Sequence, residues 1–144
     1  MLSMADAAIH QLFEANRLMR EAGERIASAA GQTHARRMVL QAALAVEPAA
    51  TVPDIARRLG LHRQGVQRIA DELVTEGLGR YDDNPRHRVS KLFVVTDRGR
   101  AALAAIGREH ASWIDGIEAE ATGIDWPRLR DDLSLLVQIL RDRE

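Results

Sequence analysis

The stretch from Val52 to Asp71, VPDIARRLGLHRQGVQRIAD, restricts the fold more than any other part of the chain. It reads as a helix, a tight turn and a second helix, with apolar Ile55, Leu59, Leu61, Val66 and Ile69. Ala56 is small where two crossing helices must approach, and Gly60 falls where a sharp turn needs positive φ. Thr51 can cap the first helix, Pro53 suits its first turn, and Asp54 completes a T-x-x-D box. The second helix sets Arg63, Gln64, Gln67 and Arg68 opposite Val66, Ile69, Ala70 and Leu73. Long donors of this kind suit base edges and phosphates in a major groove. The pattern implies a DNA-binding helix-turn-helix; the competing reading is a helical hairpin with a solvated polar face.

The residues C-terminal to this unit favour DNA. In LGRYDDNPRHRVSKLFVV, Gly77 and Gly79 act as helix stop signals and Asp83-Asn84-Pro85 forms a turn cluster. Leu92 to Val95 is β-rich, so a two-stranded hairpin is expected, with a basic tip at Arg86-His87-Arg88. A helix-turn-helix followed by such a hairpin is a winged helix, whose wing lies along the backbone or reaches the minor groove. A surface hairpin without a ligand is the alternative.

Charge supports the same placement. The net charge is −1. Residues 51–100, however, hold ten basic against seven acidic groups, while 101–144 hold five against nine. Positive charge gathers where a phosphate-binding face needs it, and the acidic end should face away. Apolar residues make up 46% and charged residues 28%, as in a folded soluble domain, and the Ala- and Leu-rich composition favours helix. The absence of cysteine excludes disulfides, Cys-ligated zinc and thiol redox sensing by this chain. No apolar run reaches membrane-spanning length, and MLSMADAAIHQLFEANRLMR lacks a signal-peptide pattern, so a cytoplasmic location is expected.

The flanks are helical. Met4 to Ala29 carries a stripe of Ile9, Leu12, Phe13, Met19, Gly23 and Ile26. Thr33 can cap a helix reaching about Val46, buried through Met38, Val39, Ala42, Ala43 and Val46. Thr96 caps one from Asp97 to about Ala121, with Leu103, Ile106, Trp113, Ile114 and Ile117. Asp125 caps the last, striped by Leu129, Leu133, Leu136, Val137 and Leu140. These faces exceed what a small winged helix can cover, so they pack on a second copy or back on their own subunit. We expect a mainly α, single-domain chain over residues 1–144. Residues 33–96 would form the winged-helix DNA-binding lobe, and 1–30 with 97–144 the dimerisation helices.

This order of elements, with TVPDIARRLGLHRQGVQRIADELVTEGL, the basic wing and FVVTDRGRAAL, resembles the MarR-type transcriptional regulators over essentially the whole chain. The resemblance implies a homodimer on palindromic double-stranded DNA. In such a dimer two recognition helices about 34 Å apart meet successive major grooves. It also implies regulation, commonly repression, by small ligands such as aromatic acids or phenols held between the dimerisation helices and the DNA-binding lobe. By the resemblance, Arg63, Gln64, Gln67 and Arg68 make the groove contacts, with Thr51, His62, Arg86 and Arg88 as further DNA-binding positions. Two departures stand out. His62 replaces the usual Ser or Thr cap, and imidazole, a weaker cap, would contact phosphate instead with a pH-dependent contribution. The wing reads His87-Arg88-Val89 where the family has Asp-x-Arg, so the steadying Asp–Arg pair is missing.

Other chemistry has little support. The five histidines show no close ligand pairing, leaving only a zinc site assembled from distant elements, and no metal or cofactor is expected. No nucleophile elbow, phosphate-binding glycine loop or catalytic carboxylate pair is present, so an enzyme is not expected. His34, Arg37, Met38 and Trp113 could line an effector pocket with a cationic end, or Met38 and Trp113 could simply be core. The remaining rivals are a protein-binding winged helix and a nonspecific architectural DNA binder.

Overall fold

The computed structural model describes residues 1–144. Six helices and three short strands follow in order: α1 (Met4–Ala29), α2 (His34–Leu44), β1 (Ala50–Thr51), α3 (Val52–Leu59), α4 (Arg63–Thr75), β2 (Gly79–Asp82), β3 (Leu92–Val95), α5 (Asp97–Glu120) and α6 (Trp126–Arg141). The chain divides into two compact units, Met1–His110 and Ala111–Glu144.

Local chemistry sets the boundaries of the first unit. At α3, the Asp54 amide donates to Thr51 Oγ1 (3.2 Å) and the Thr51 amide donates to the Asp54 carboxylate (3.0 Å). Two of the N–H groups that a helix start leaves unpaired are thereby satisfied. Gly60 ends α3 at φ 64°, in the left-handed region where a side chain would be strained, and the Leu61 amide reaches back to the Ala56 carbonyl (3.0 Å). α4 ends at Thr75, and Gly77 just beyond its Glu76 C-cap is also left-handed, at φ 79°. Gly79 plays a different part from the expected stop signal. It lies within β2, and the Phe93 ring occupies the space its side chain would fill. α2 stops at Leu44, slightly short of the expected Val46.

The core of this unit is built from α2, α3, α4 and the strands. Leu40, Ile55, Val66, Leu73 and Phe93 are fully buried within it, each contributing roughly 1.5–3 kcal/mol by leaving water. Leu61, read with the apolar set, is 54% exposed, because the turn carries it away from the core. The sheet has one more strand than expected: β1 pairs antiparallel with β3 through Ala50–Phe93 and Thr51–Leu92, giving the order β1-β3-β2. β2 and β3 form the hairpin of the wing, with Gly79 opposite Val95 and Asp82 opposite Leu92. The start of α5 is bonded to this hairpin's base. Thr96 Oγ1 donates to the Gly77 carbonyl (2.6 Å) and accepts from the Gly99 amide (3.2 Å). A side chain at Gly99 would meet the Leu78 carbonyl at 2.2 Å, so only glycine permits this approach.

The expected stripes at the chain's two ends are largely uncovered. In α1 only Ala22, Gly23, Ile26 and Ala27 are buried, while Phe13 is 71% and Met19 52% exposed. Within the second unit, α6 starts at its Asp125 cap, as expected, and buries no residue. Trp126, Leu129, Leu133 and Val137 line a shallow apolar groove along it. No helix is long and apolar enough to cross a membrane.

Candidate nucleic-acid interface

The polar face of α4 is the exposed side of a helix anchored by Val66, Ile69, Ala70 and Leu73, all buried. Helical spacing brings Arg63, Gln64, Gln67 and Arg68 onto that face, and all are exposed. Arg63 and Gln64 carry no hydrogen bond or ion pair inside the protein, leaving their donors available. Arg68 lies 3.6 Å from Glu72, a loose pair at 74% side-chain exposure. Gln67 differs: its amide nitrogen donates to Asp71 Oδ1 (2.9 Å) and to the Tyr81 hydroxyl (2.8 Å).

His62 stands at the start of α4 without a side-chain capping bond, which leaves its ring exposed beside the first-turn amides. Thr51 spends its hydroxyl oxygen on the α3 cap, and its O–H remains able to donate. The Thr51 amide holds the Asp54 carboxyl below its ordinary range; the Thr51 hydroxyl and Arg57 act in the same direction against the cost of burial.

The wing presents Arg86, His87, Arg88 and Val89 to solvent. Without an Asp–Arg pair, its tip is shaped by Asn84, whose side chain accepts from the Arg86 amide (3.0 Å) and whose carbonyl accepts from the His87 amide (3.2 Å). At the wing's base Arg80 pairs with Asp82 (3.0 Å). A groove of about 460 Å³ is lined by Arg63 and Gln67 of α4 and by Tyr81, Ser90 and Lys91 of the wing.

Three contributors were missed by sequence reading. Lys91, the one lysine, faces this groove. Tyr81 packs edge-on against Phe93, ring centroids 6.0 Å apart, and its hydroxyl donates to Asp71 Oδ1 (2.6 Å). Alternation along β2 could have marked Tyr81, since β2 keeps one face on the core. Arg36 of α2 pairs with Glu72 of α4 (3.3 Å) and with Glu76 at its C-cap, tying the recognition helix to α2. Nothing local in the sequence announces that bridge.

His34, Arg37 and Met38 lie half-buried in the first unit, and Trp113 belongs to the second. His34 Nδ1, against Gly23, and Arg37 Nε are buried without a hydrogen-bond partner. Burial, and then the charge of Arg37, push the His110 imidazole below its ordinary range, which puts His110 near Arg37. No group of His, Asp and Glu is arranged to hold a metal.

Fold and site together define a winged helix-turn-helix protein. A family model described as MarR family matches residues 33–88. An uncharacterised protein of Mycobacterium tuberculosis is 46% identical over 98 residues, spanning 68% of this chain and 67% of its own. Among solved structures, a MarR family transcription regulator superposes with a TM-score of 0.84 at 25% identity, covering 94% of this chain and 89% of its own. The transcriptional repressor CouR, bound to a 23-mer DNA duplex, gives 0.77 at 25% identity, covering 97% and 99%. CouR from Rhodococcus jostii bound to p-coumaroyl-CoA gives 0.69 at 21% identity, covering 94% and 95%. The chain belongs to the MarR family, whose members are transcription regulators and not enzymes.

Proposed function

We propose that this chain is a cytoplasmic, homodimeric repressor that binds a palindromic operator and is released by a small aromatic or phenolic ligand. The observation that carries the reading is the exposed donor face of α4 set across a groove from a basic wing. Arg63, Gln64 and Arg68 would read or approach bases, while Thr51, His62, Arg86, Arg88 and Lys91 would contact phosphate. The similarity to CouR, a transcriptional repressor bound to a 23-mer DNA duplex, supports DNA binding.

Residues 33–96 act as the DNA-binding lobe, and 1–30 with 97–144 as dimerisation helices. The uncovered apolar residues of α1 and α6, among them Phe13, Met19, Leu135 and Leu140, support a second copy as their partner. The buried, unbonded nitrogens of His34 and Arg37 support an acidic or hydroxylated effector near α2. Met38 would supply apolar surface. Such an effector works only by favouring a dimer whose recognition helices are wrongly spaced.

The test is to capture fragmented genomic DNA on the purified protein at moderate salt and sequence what is retained. One enriched palindrome with half-sites about one helical turn apart supports the proposal. Uniform retention of all fragments contradicts it in favour of an architectural role, and retention of none contradicts DNA binding itself.

A further inference from the structure

Most glycines of this chain have a reason inside it. Gly31, Gly60 and Gly77 take positive φ, and at Gly23, Gly79 and Gly99 a side chain would strike His34, the Phe93 ring and the Leu78 carbonyl. Gly65 has no such reason. It lies in the first turn of α4, exposed and without positive φ, and nothing comes within 4 Å of where its Cβ would stand. Gly107, Gly116 and Gly123 are equally open, but none is on the helix that carries the exposed donors. Glycine in a helix is unfavourable relative to alanine, because it gives up more backbone freedom on folding. Nothing within the fold offsets that cost at Gly65, so what offsets it lies outside the chain.

Its position says what that is. Gly65 is next to Gln64 and one turn before Arg68, on the margin of the polar face turned away from Arg63 and Gln67. A major groove is about 12 Å wide, and a helix with its side chains is about 10–12 Å across, so the margins of a seated recognition helix meet the sugar–phosphate walls. A methyl group added there stands about 1.5 Å further out and holds the helix away from the groove floor. We infer that Gly65 is where the sugar–phosphate wall of the operator's major groove closes on the recognition helix, and that its missing side chain lets α4 sit deep enough for Gln64 to reach a base edge. Arg63 and Arg68 are long enough to span a shallower seating. Gln64, exposed but shorter, is not. Gly65 thereby determines specificity without touching a base, by setting depth. The inference rests on the operator-binding reading above.

The experiment compares wild type, Gly65→Ala and Gly65→Leu on the site that wild type selects from a randomised duplex pool and on a scrambled duplex, with thermal melts alongside. Alanine is the better helix former, so Gly65→Ala should melt about 2 °C higher than wild type. It should nevertheless bind the selected site about fivefold more weakly, and Gly65→Leu about a hundredfold more weakly. Binding to the scrambled duplex is electrostatic and needs no deep seating, so it should change by less than about twofold. Gln64→Ala should cost about tenfold in wild type and nothing further in Gly65→Leu, whose glutamine no longer reaches a base. A glycine serving the fold alone could not move stability and affinity in opposite directions. The inference is overturned if Gly65→Ala binds the selected site as tightly as wild type, if its melting temperature and affinity fall together, or if both duplexes lose affinity alike. It is also overturned if Gln64→Ala costs the same in both backgrounds. Wild type that selects no site overturns the operator reading, and this inference with it.

Discussion

Removing Arg36 tests how the recognition helix is held. Its side chain is 16% exposed and reaches from α2 to Glu72 and Glu76, whose side chains are 41% and 49% exposed. Because both carboxylates are close to half in water, each pair is screened and contributes only about 0.5 kcal/mol. Loss of the guanidinium also leaves Glu72 and Glu76 as like charges one turn apart, costing about 0.3 kcal/mol. Arg36→Met, which keeps an apolar stem, should therefore cost about 1 kcal/mol. Arg36→Ala also gives up roughly two buried methylenes at about 0.8 kcal/mol each, for a total of about 3 kcal/mol. Urea denaturation at one fixed protein concentration measures both, the fixed concentration mattering because a dimer's stability depends on it. The methionine deficit should shrink as salt rises to about 1 M, where the Debye length is about 3 Å. Equal stability of Arg36→Met and wild type, or a deficit indifferent to salt, would refute the ion-pair account. Equal costs for Met and Ala would refute the role of the stem.

Other consequences can be checked in the same way. Replacing Arg86 and Arg88 by Ala should reduce the slope of log affinity against log salt by roughly two per protomer, measured by fluorescence anisotropy, if both meet phosphate. Gly99→Ala forces a methyl group toward the Leu78 carbonyl and Val95. It should cost about 1–3 kcal/mol in a denaturant titration, by displacing α5 from the base of the wing. His110 is held below its ordinary range by burial and by Arg37, so the unfolded chain binds its proton first, near pH 6.5. Its contribution to stability is full above pH 6.5 and falls as pH drops toward the folded value. His110→Asn should lose that part of the acid sensitivity, read from melting temperatures across pH 5 to 7.5 (a range chosen about the ordinary His value).

The parts of this molecule legible in the sequence are those built from near neighbours. Thr51 and Asp54 cap α3 within one turn, and Gly60 supplies the turn's positive φ by itself, so the helix-turn-helix could be read in place. The same holds for the polar and buried faces of α4, which helical periodicity separates. Contacts made across the fold were not legible. Arg36 lies 36 and 40 residues from its carboxylate partners. Tyr81 lies 14 residues from Gln67, so nothing local in the sequence marks the hydrogen bond between them. β1, two residues long, exists because Ala50 and Thr51 pair with β3, and it is too short to show alternation. Leu61 misled for a related reason: apolar character marks a residue that can be buried, and the turn geometry decides that it is not. The wing departs from the family's Asp-x-Arg, and Asn84 organises the tip through a turn of its own.

Whether α4 and the wing together read a DNA sequence is decided by an affinity ratio. Fluorescence anisotropy at physiological salt should be measured on the site recovered from genomic DNA and on a scrambled duplex of the same length and composition. The recovered site should bind at least about 10³-fold more tightly, with two protomers per duplex. Equal affinity for the two duplexes would contradict sequence reading by this face.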